Sequence, residues 1–192
     1  IYLRERVGVM FQVALVDPDT NEIDLSASTL FECHEKTLEE IVDEFTATTA
    51  LVRTRKADSE KSRALIQKLP GFVVHPFLRI VTFLQGTLNL NLSILGVPSD
   101  AFGSVMITNI GSLGLDEAYP PLVPYSRVPM VLAMGAVTDT PVVEDGKVVP
   151  GKVMRLCASF DHRILDGAHA AKMVRVLREW IEHPHEKFGS LK

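Results

Sequence analysis

Apolar and β-branched residues dominate Val7 to Val16 and stop at Asp17-Pro18-Asp19-Thr20-Asn21, so the pattern predicts a buried strand closed by a turn. A shorter strand is predicted around Ile23 to Leu30. Thr37-Leu38-Glu39-Glu40 then has the form of a capping box, and Leu38, Ile41, Val42 and Phe45 recur at helical spacing. These features predict an amphipathic helix with Glu39, Glu40, Asp43 and Glu44 on its solvated face. The charged run Arg53 to Arg63 leads into a short predicted helix that begins near Asp58 or Ser59, runs through Leu69 and ends at Pro70-Gly71.

From Gly71 to Val97 the chain is apolar, with Arg79 its only fixed charge and with breaks at Pro76, Gly86 and Gly96. A membrane-spanning helix needs about 20 mainly apolar residues, so length alone admits one. Asn89, Asn91 and the Gly and Pro breaks argue against it. Contact with another subunit or a membrane surface, and burial within the fold, stay open as readings of this stretch.

After Pro98 the pattern returns to strands, at Ser104 to Asn109 and Met130 to Val137. Asp145-Gly146 between Val142-Val143 and Val148-Val149 predicts a tight hairpin, and a further strand from Val153 to Phe160 leads into Asp161-His162. Past Gly167, Ala170, Met173, Val174, Leu177, Trp180 and Ile181 follow the helical period until His183-Pro184. This order predicts an α/β, or layered α+β, domain: a mixed β-sheet backed by helices.

The 192 residues, 46% of them hydrophobic, suffice for one sizeable core, so a single domain over 1–192 is expected. A net charge of -4 and a pI near 5.9 supply no basic field for DNA or RNA, and nucleic acid is not an expected partner. Cys33 and Cys157 have neither metal-ligand spacing nor a disulfide framework around them, which fits a reducing cytoplasm and no metal. The chain opens at Ile1 without an initiator Met or a signal-peptide pattern, and reads as a domain entered partway, truncated at its N-terminus.

The candidate chemistry centres on His162, Asp166 and Gly167, an H-x-x-x-D-G run on a strand-to-helix connection, preceded by Asp161 and followed by Arg163. A histidine titrates near pH 6.5 when unperturbed and is suited to removing a proton from a thiol. The same residues could instead merely cap the following helix, and spacing alone leaves both readings open. His34, His75, His169, His183 and His185 lack a matching partner and read as structural or solvated.

The run DHRILDGAHAAKMVRVLREWIEHP resembles the C-terminal signature of the dihydrolipoamide acyltransferases of 2-oxoacid dehydrogenase complexes and of their relative chloramphenicol acetyltransferase. Upstream, GSVMITNIGSLGL is similar to the family's internal strand-and-turn motif, and VPMVLAMGAVTDTPVVEDGKVV to the strand and hairpin between the two. The resemblance covers about Gly103 to Pro184; residues before Arg53 match more weakly, and about 56–97 reads as an insertion.

The resemblance implies a chloramphenicol acetyltransferase-like fold and a transferase that moves an acyl group between a dihydrolipoyl thiol and CoA. It implies that His162 is the general base, that Asp166 shapes the histidine loop, and that Thr108, where the family usually has serine, donates to the oxyanion. Threonine keeps the hydroxyl but is restricted in its rotamers. Asn109, Gly111, Ser112, Gly114 and Gly167 are read as architecture around the site. CoA is then a substrate, and the lipoyl group comes from another domain or chain. The expected assembly is a homotrimer or a larger assembly of trimers, with other 2-oxoacid dehydrogenase components as further partners and His162 meeting Thr108 across chains. Two rival functions stay open: a non-catalytic scaffold component of such a complex, and a CoA-dependent acyltransferase acting on a small hydroxyl or amine acceptor.

Overall fold

The computed structural model describes residues 4, 6–16, 20–54, 70–92 and 100–189. The helix predicted from about Asp58 to Leu69 lies outside them, as do 56–69 and 93–97 of the stretch read as an insertion. Five strands form one mixed sheet. β1 (Gly8–Val16) and β2 (Ile23–Phe31) make an antiparallel hairpin in continuous register from Gly8 opposite Phe31 to Val16 opposite Ile23. β1 also runs parallel to β3 (Val105–Asn109), and β3 parallel to β4 (Met130–Glu144). β4 then pairs antiparallel with β5 (Lys147–Phe160), giving the order β2-β1-β3-β4-β5.

The apolar run in β1 follows from its place between β2 and β3, with an apolar cluster on each face. Phe11, Val13 and Leu15 point to one face and cluster with Leu30 and Val52. Met10 points to the other, with Met106, Val128 and Val131. Complete burial of a side chain of this size stabilises by about 1.5–3 kcal/mol, so these residues hold the sheet centre. α1 (Leu38–Arg53) covers the first face: Val52 is fully buried, and the Phe45 ring lies 4.6 Å from that of Phe11. Its start is the predicted capping box, with Glu40 N donating to Thr37 Oγ1 at 3.3 Å and Thr37 N to Glu40 Oε2 at 2.8 Å.

β4 and β5 are longer than the pattern predicted and form one ribbon through Pro141 opposite Pro150 to the turn. Proline is tolerated there because the ribbon runs beyond the end of β3, where a missing N–H breaks no central ladder. At the tip, Asp145 and Gly146 have φ of 48 and 77, the two positive values that a type I′ turn requires. The register shifts between Met134 and Val137, where β4 carries an extra residue. This bulge turns its backbone to the segment after β3: Ile110 N donates to Met134 O at 2.9 Å and Ala136 N to Leu115 O at 2.9 Å. Glycine is required at its centre, since a Cβ on Gly135 would lie 1.9 Å from Asp116 O.

Of the readings left open for the apolar stretch, α2 (Gly71–Gly86) removes burial within this chain for the part it covers. It is a helix with Pro76 inside it, and none of its residues is buried in this chain; Phe72 is 82% exposed. Among the described residues, no helix is long and apolar enough to cross a membrane. α3 (Gly167–Glu182) has the predicted period, yet none of its residues is buried either. Its Trp180 ring stacks edge-on at 5.6 Å against Phe188 of α4 (Pro184–Phe188).

Candidate active site

The end of β5 determines where His162 sits. Asp161 N donates to Pro129 O at 2.8 Å, which closes the β4–β5 pairing, and Ile164 N and Leu165 N then both donate to Asp161 O at 2.9 Å. That tight turn leaves His162 exposed on its outer side, with the Phe160 ring 6.2 Å from the imidazole.

Carboxylates hold both ends of the loop. At the start, Asp161 accepts from Arg163 N at 3.0 Å, from Nε at 2.9 and 3.2 Å, and from Nη2 at 2.6 Å. The guanidinium first, and then the Arg163 backbone N–H, pull the Asp161 carboxyl down to about 2. At the far end, Asp166 is the N-cap of α3, and its Oδ1 accepts from His169 N at 2.9 Å. His169 Nδ1 lies 2.6 Å from the same oxygen. The His169 backbone N–H, followed by the imidazole, holds the Asp166 carboxyl below its ordinary range. At Gly167, a Cβ would meet nothing within 4 Å, so no crowding inside the chain demands glycine there.

Thr108 stands elsewhere. It lies on β3 level with Ala133 of β4, which is itself level with Cys157 of β5. The segment after it is tied down locally: Ser112 N donates to Asn109 Oδ1 at 3.2 Å, and Ser112 Oγ to Asn109 O at 2.8 Å, an Asx turn. A Cβ on Gly111 would lie 2.6 Å from Gly135 O, so this turn and the β4 bulge need two glycines to approach each other. Phe160 is further along β5 by three residues, roughly 10 Å, and two strand spacings, roughly 10 Å, to the side of Thr108. His162 continues beyond Phe160. The structure therefore brings His162 and Asp166 onto one loop and groups Thr108 with Asn109 and Gly111, with Phe160, two residues before His162, roughly 14 Å from Thr108 within a chain.

An open cavity of about 260 Å³ flanks the histidine loop, walled by Leu122, Val123, Pro124, Arg127, Val128 and Pro129 on one side and by Asp161, Arg163 and Ile164 on the other. Its apolar wall and cationic groups could take a substrate that has both characters. The Arg127 side chain also reaches α2, where a Cβ on Gly86 would lie 2.0 Å from its guanidinium carbon. This wall was not read from the sequence, although prolines 120, 121, 124 and 129 marked an irregular, non-periodic segment. Far from the loop, across the sheet beyond β2, Glu32, His34 and Glu35 bring ligand atoms within 4.8 Å of one another on a surface turn.

The mixed sheet with α1 laid on one face and the histidine loop at the end of its last strand is a layered fold shared with solved structures. Among solved structures, a probable dihydrolipoamide acetyltransferase from Listeria monocytogenes superposes with a TM-score of 0.63 at 17% identity, over 93% of this chain and 57% of that one. The cubic core of a pyruvate dehydrogenase multienzyme complex does so with a TM-score of 0.59 at 18% identity, over 95% and 56%.

In sequence, residues 98–188 match the family described as 2-oxoacid dehydrogenases acyltransferase (catalytic domain). The dihydrolipoyllysine-residue acetyltransferase component of the acetoin cleaving system of Bacillus subtilis is 36% identical over 78 residues, 41% of this chain and 19% of that protein. A probable succinyltransferase component of the 2-oxoglutarate dehydrogenase complex of Schizosaccharomyces pombe is 35% identical over 91 residues, 47% of this chain and 20% of that protein. The matched region thus spans about a fifth of the length of these curated relatives.

Proposed function

We propose that this chain is the catalytic part of a CoA-dependent acyltransferase that moves an acyl group between a dihydrolipoyl thiol and CoA, within a homotrimer or a larger assembly of trimers. The observation that carries the reading is an exposed histidine on a loop held by carboxylates at both ends, a loop whose Asp161, Arg163 and Ile164 line a cavity. A base that has to meet two thiol substrates must be reachable and yet fixed in direction.

In the forward step His162 takes the proton of the attacking thiol as its sulfur forms a bond to the thioester carbonyl carbon. The carbonyl electron pair moves onto oxygen, where a Thr108 hydroxyl donates to it. Collapse of this intermediate breaks the original C–S bond, and the departing thiolate takes the proton back from His162. Nothing is oxidised or reduced, and the enzyme itself is not acylated. Within one chain Thr108 is too far away to reach that oxygen, so the donor is Thr108 of a neighbouring chain. The curated relatives named as acyltransferase components of 2-oxoacid dehydrogenase systems, and the likeness to a multienzyme cubic core, support both the reaction and the assembly.

The test is transfer from a panel of short and branched acyl-CoAs to dihydrolipoamide, and to small hydroxyl and amine acceptors, by the complete assembled protein. Transfer to dihydrolipoamide is the expected result. Transfer to a hydroxyl or amine acceptor alone would replace the acceptor, and no transfer to any of them would turn the reading to a scaffold.

A further inference from the structure

We infer that His169 is a positioning residue that locks the C-terminal end of the His162 loop through the Asp166 carboxylate. The kinetic consequence of this inference rests on the acyl-transfer reading; the lock itself does not. His169 occupies the third position of α3, where a capping box ordinarily carries Glu or Gln. Its Nδ1 is 2.6 Å from Asp166 Oδ1 and 3.4 Å from Asp166 N. One ring nitrogen cannot both donate to the carboxylate and accept from the N–H. The shorter contact to an anionic oxygen decides it: Nδ1 carries the proton and donates to Oδ1.

Oδ1 therefore receives two donors from one residue, the His169 backbone N–H at 2.9 Å and its imidazole N–H. The backbone bond caps the helix whatever side chain stands at 169. The imidazole bond adds what capping alone does not, because it pins the orientation of the carboxylate at the last residue of the loop. Asp161 already pins the first residue, through Arg163 and through the amides of Ile164 and Leu165. Between those two points the N–H groups of Arg163, Ile164 and Leu165 all bond back to Asp161.

The experiment compares wild type, His169→Ala and His169→Gln in the full, assembled protein, reading amide hydrogen exchange over 161–167 and acyl-transfer kinetics together. In His169→Ala the helix cap survives, so the protein folds, and exchange over 161–167 rises by about fivefold to tenfold, the range expected for loss of one cap-type contact. The kcat falls by a similar factor while KM for the acyl-CoA is unchanged. Glutamine can donate to Oδ1 from the same position, and His169→Gln restores both values. A His169→Ala protein with unchanged exchange over 161–167 overturns the inference, as does one with a lower melting temperature but wild-type exchange and kcat. If exchange responds as described while wild type transfers no acyl group, the lock stands and the acyl-transfer reading falls.

Discussion

Two inactive variants of this protein should rescue each other when they are assembled together. His162→Ala removes the base but keeps the Thr108 hydroxyl, and Thr108→Ala does the reverse. The strand register puts Phe160, from which the chain runs on to His162, roughly 14 Å from Thr108 in one chain, against a combined side-chain reach well short of that. A working site must then take its histidine from one chain and its hydroxyl from the next. In a ring of chains mixed at random in equal amounts, half of the sites carry the intact histidine, and half of those face the intact threonine. About one quarter of wild-type activity should return, from parents that are each lower by a hundredfold or more. The assay is acyl transfer to dihydrolipoamide after the two variants are unfolded and reassembled together, with each variant alone carried through the same treatment. Recovery no greater than the mean of the two parents would place both residues in one chain's site and refute the register argument.

Two further outcomes follow from local geometry. Gly135→Ala drives a methyl to 1.9 Å from Asp116 O, so backbone must move; destabilisation by at least about 1–3 kcal/mol, seen as a lower melting temperature, is expected, and a wild-type melting curve would contradict the bulge geometry. The Asp161 carboxyl lies at about 2 in the folded chain, below its ordinary 3.8, so its clamp is fully present above the ordinary value and is lost as pH falls through about 2. A carboxyl NMR titration should show a midpoint near 2 for Asp161. A midpoint near the ordinary value would mean that Arg163 does not hold it in solution.

What could be read in advance follows from which forces are local. β1, β2 and α1 were legible because a β-branched apolar run, a turn cluster and a capping box act within a few residues. The Asp145-Gly146 turn was legible for the same reason, whereas the full length of β4 and β5 was not, because Pro141 and Pro150 hide a ribbon that tolerates them by lying past β3. The apolar stretch hid α2: Pro76 and Gly86 look like breaks, yet Pro76 stands inside the helix and Gly86 lies within its last turn, beside the Arg127 guanidinium.

At the site, the H-x-x-x-D-G run placed the histidine loop, and both readings of Asp166 meet in it, since the residue that ends the loop is also the cap of α3. His169 was read as structural or solvated because a histidine in a capping box has no familiar signature. The cavity wall from Leu122 to Pro129 has no period to detect. The proposed pairing of His162 with Thr108 of a neighbouring chain came from the family resemblance alone, because a contact between two chains leaves no spacing in one.

The most direct test of the central claim is the rate of acyl transfer between acyl-CoA and dihydrolipoamide in the complete assembled protein, measured for wild type and for His162→Ala. The account predicts clear transfer by wild type and a fall of about a hundredfold to ten-thousandfold in the variant, with assembly unchanged. A variant that transfers at the wild-type rate would contradict it.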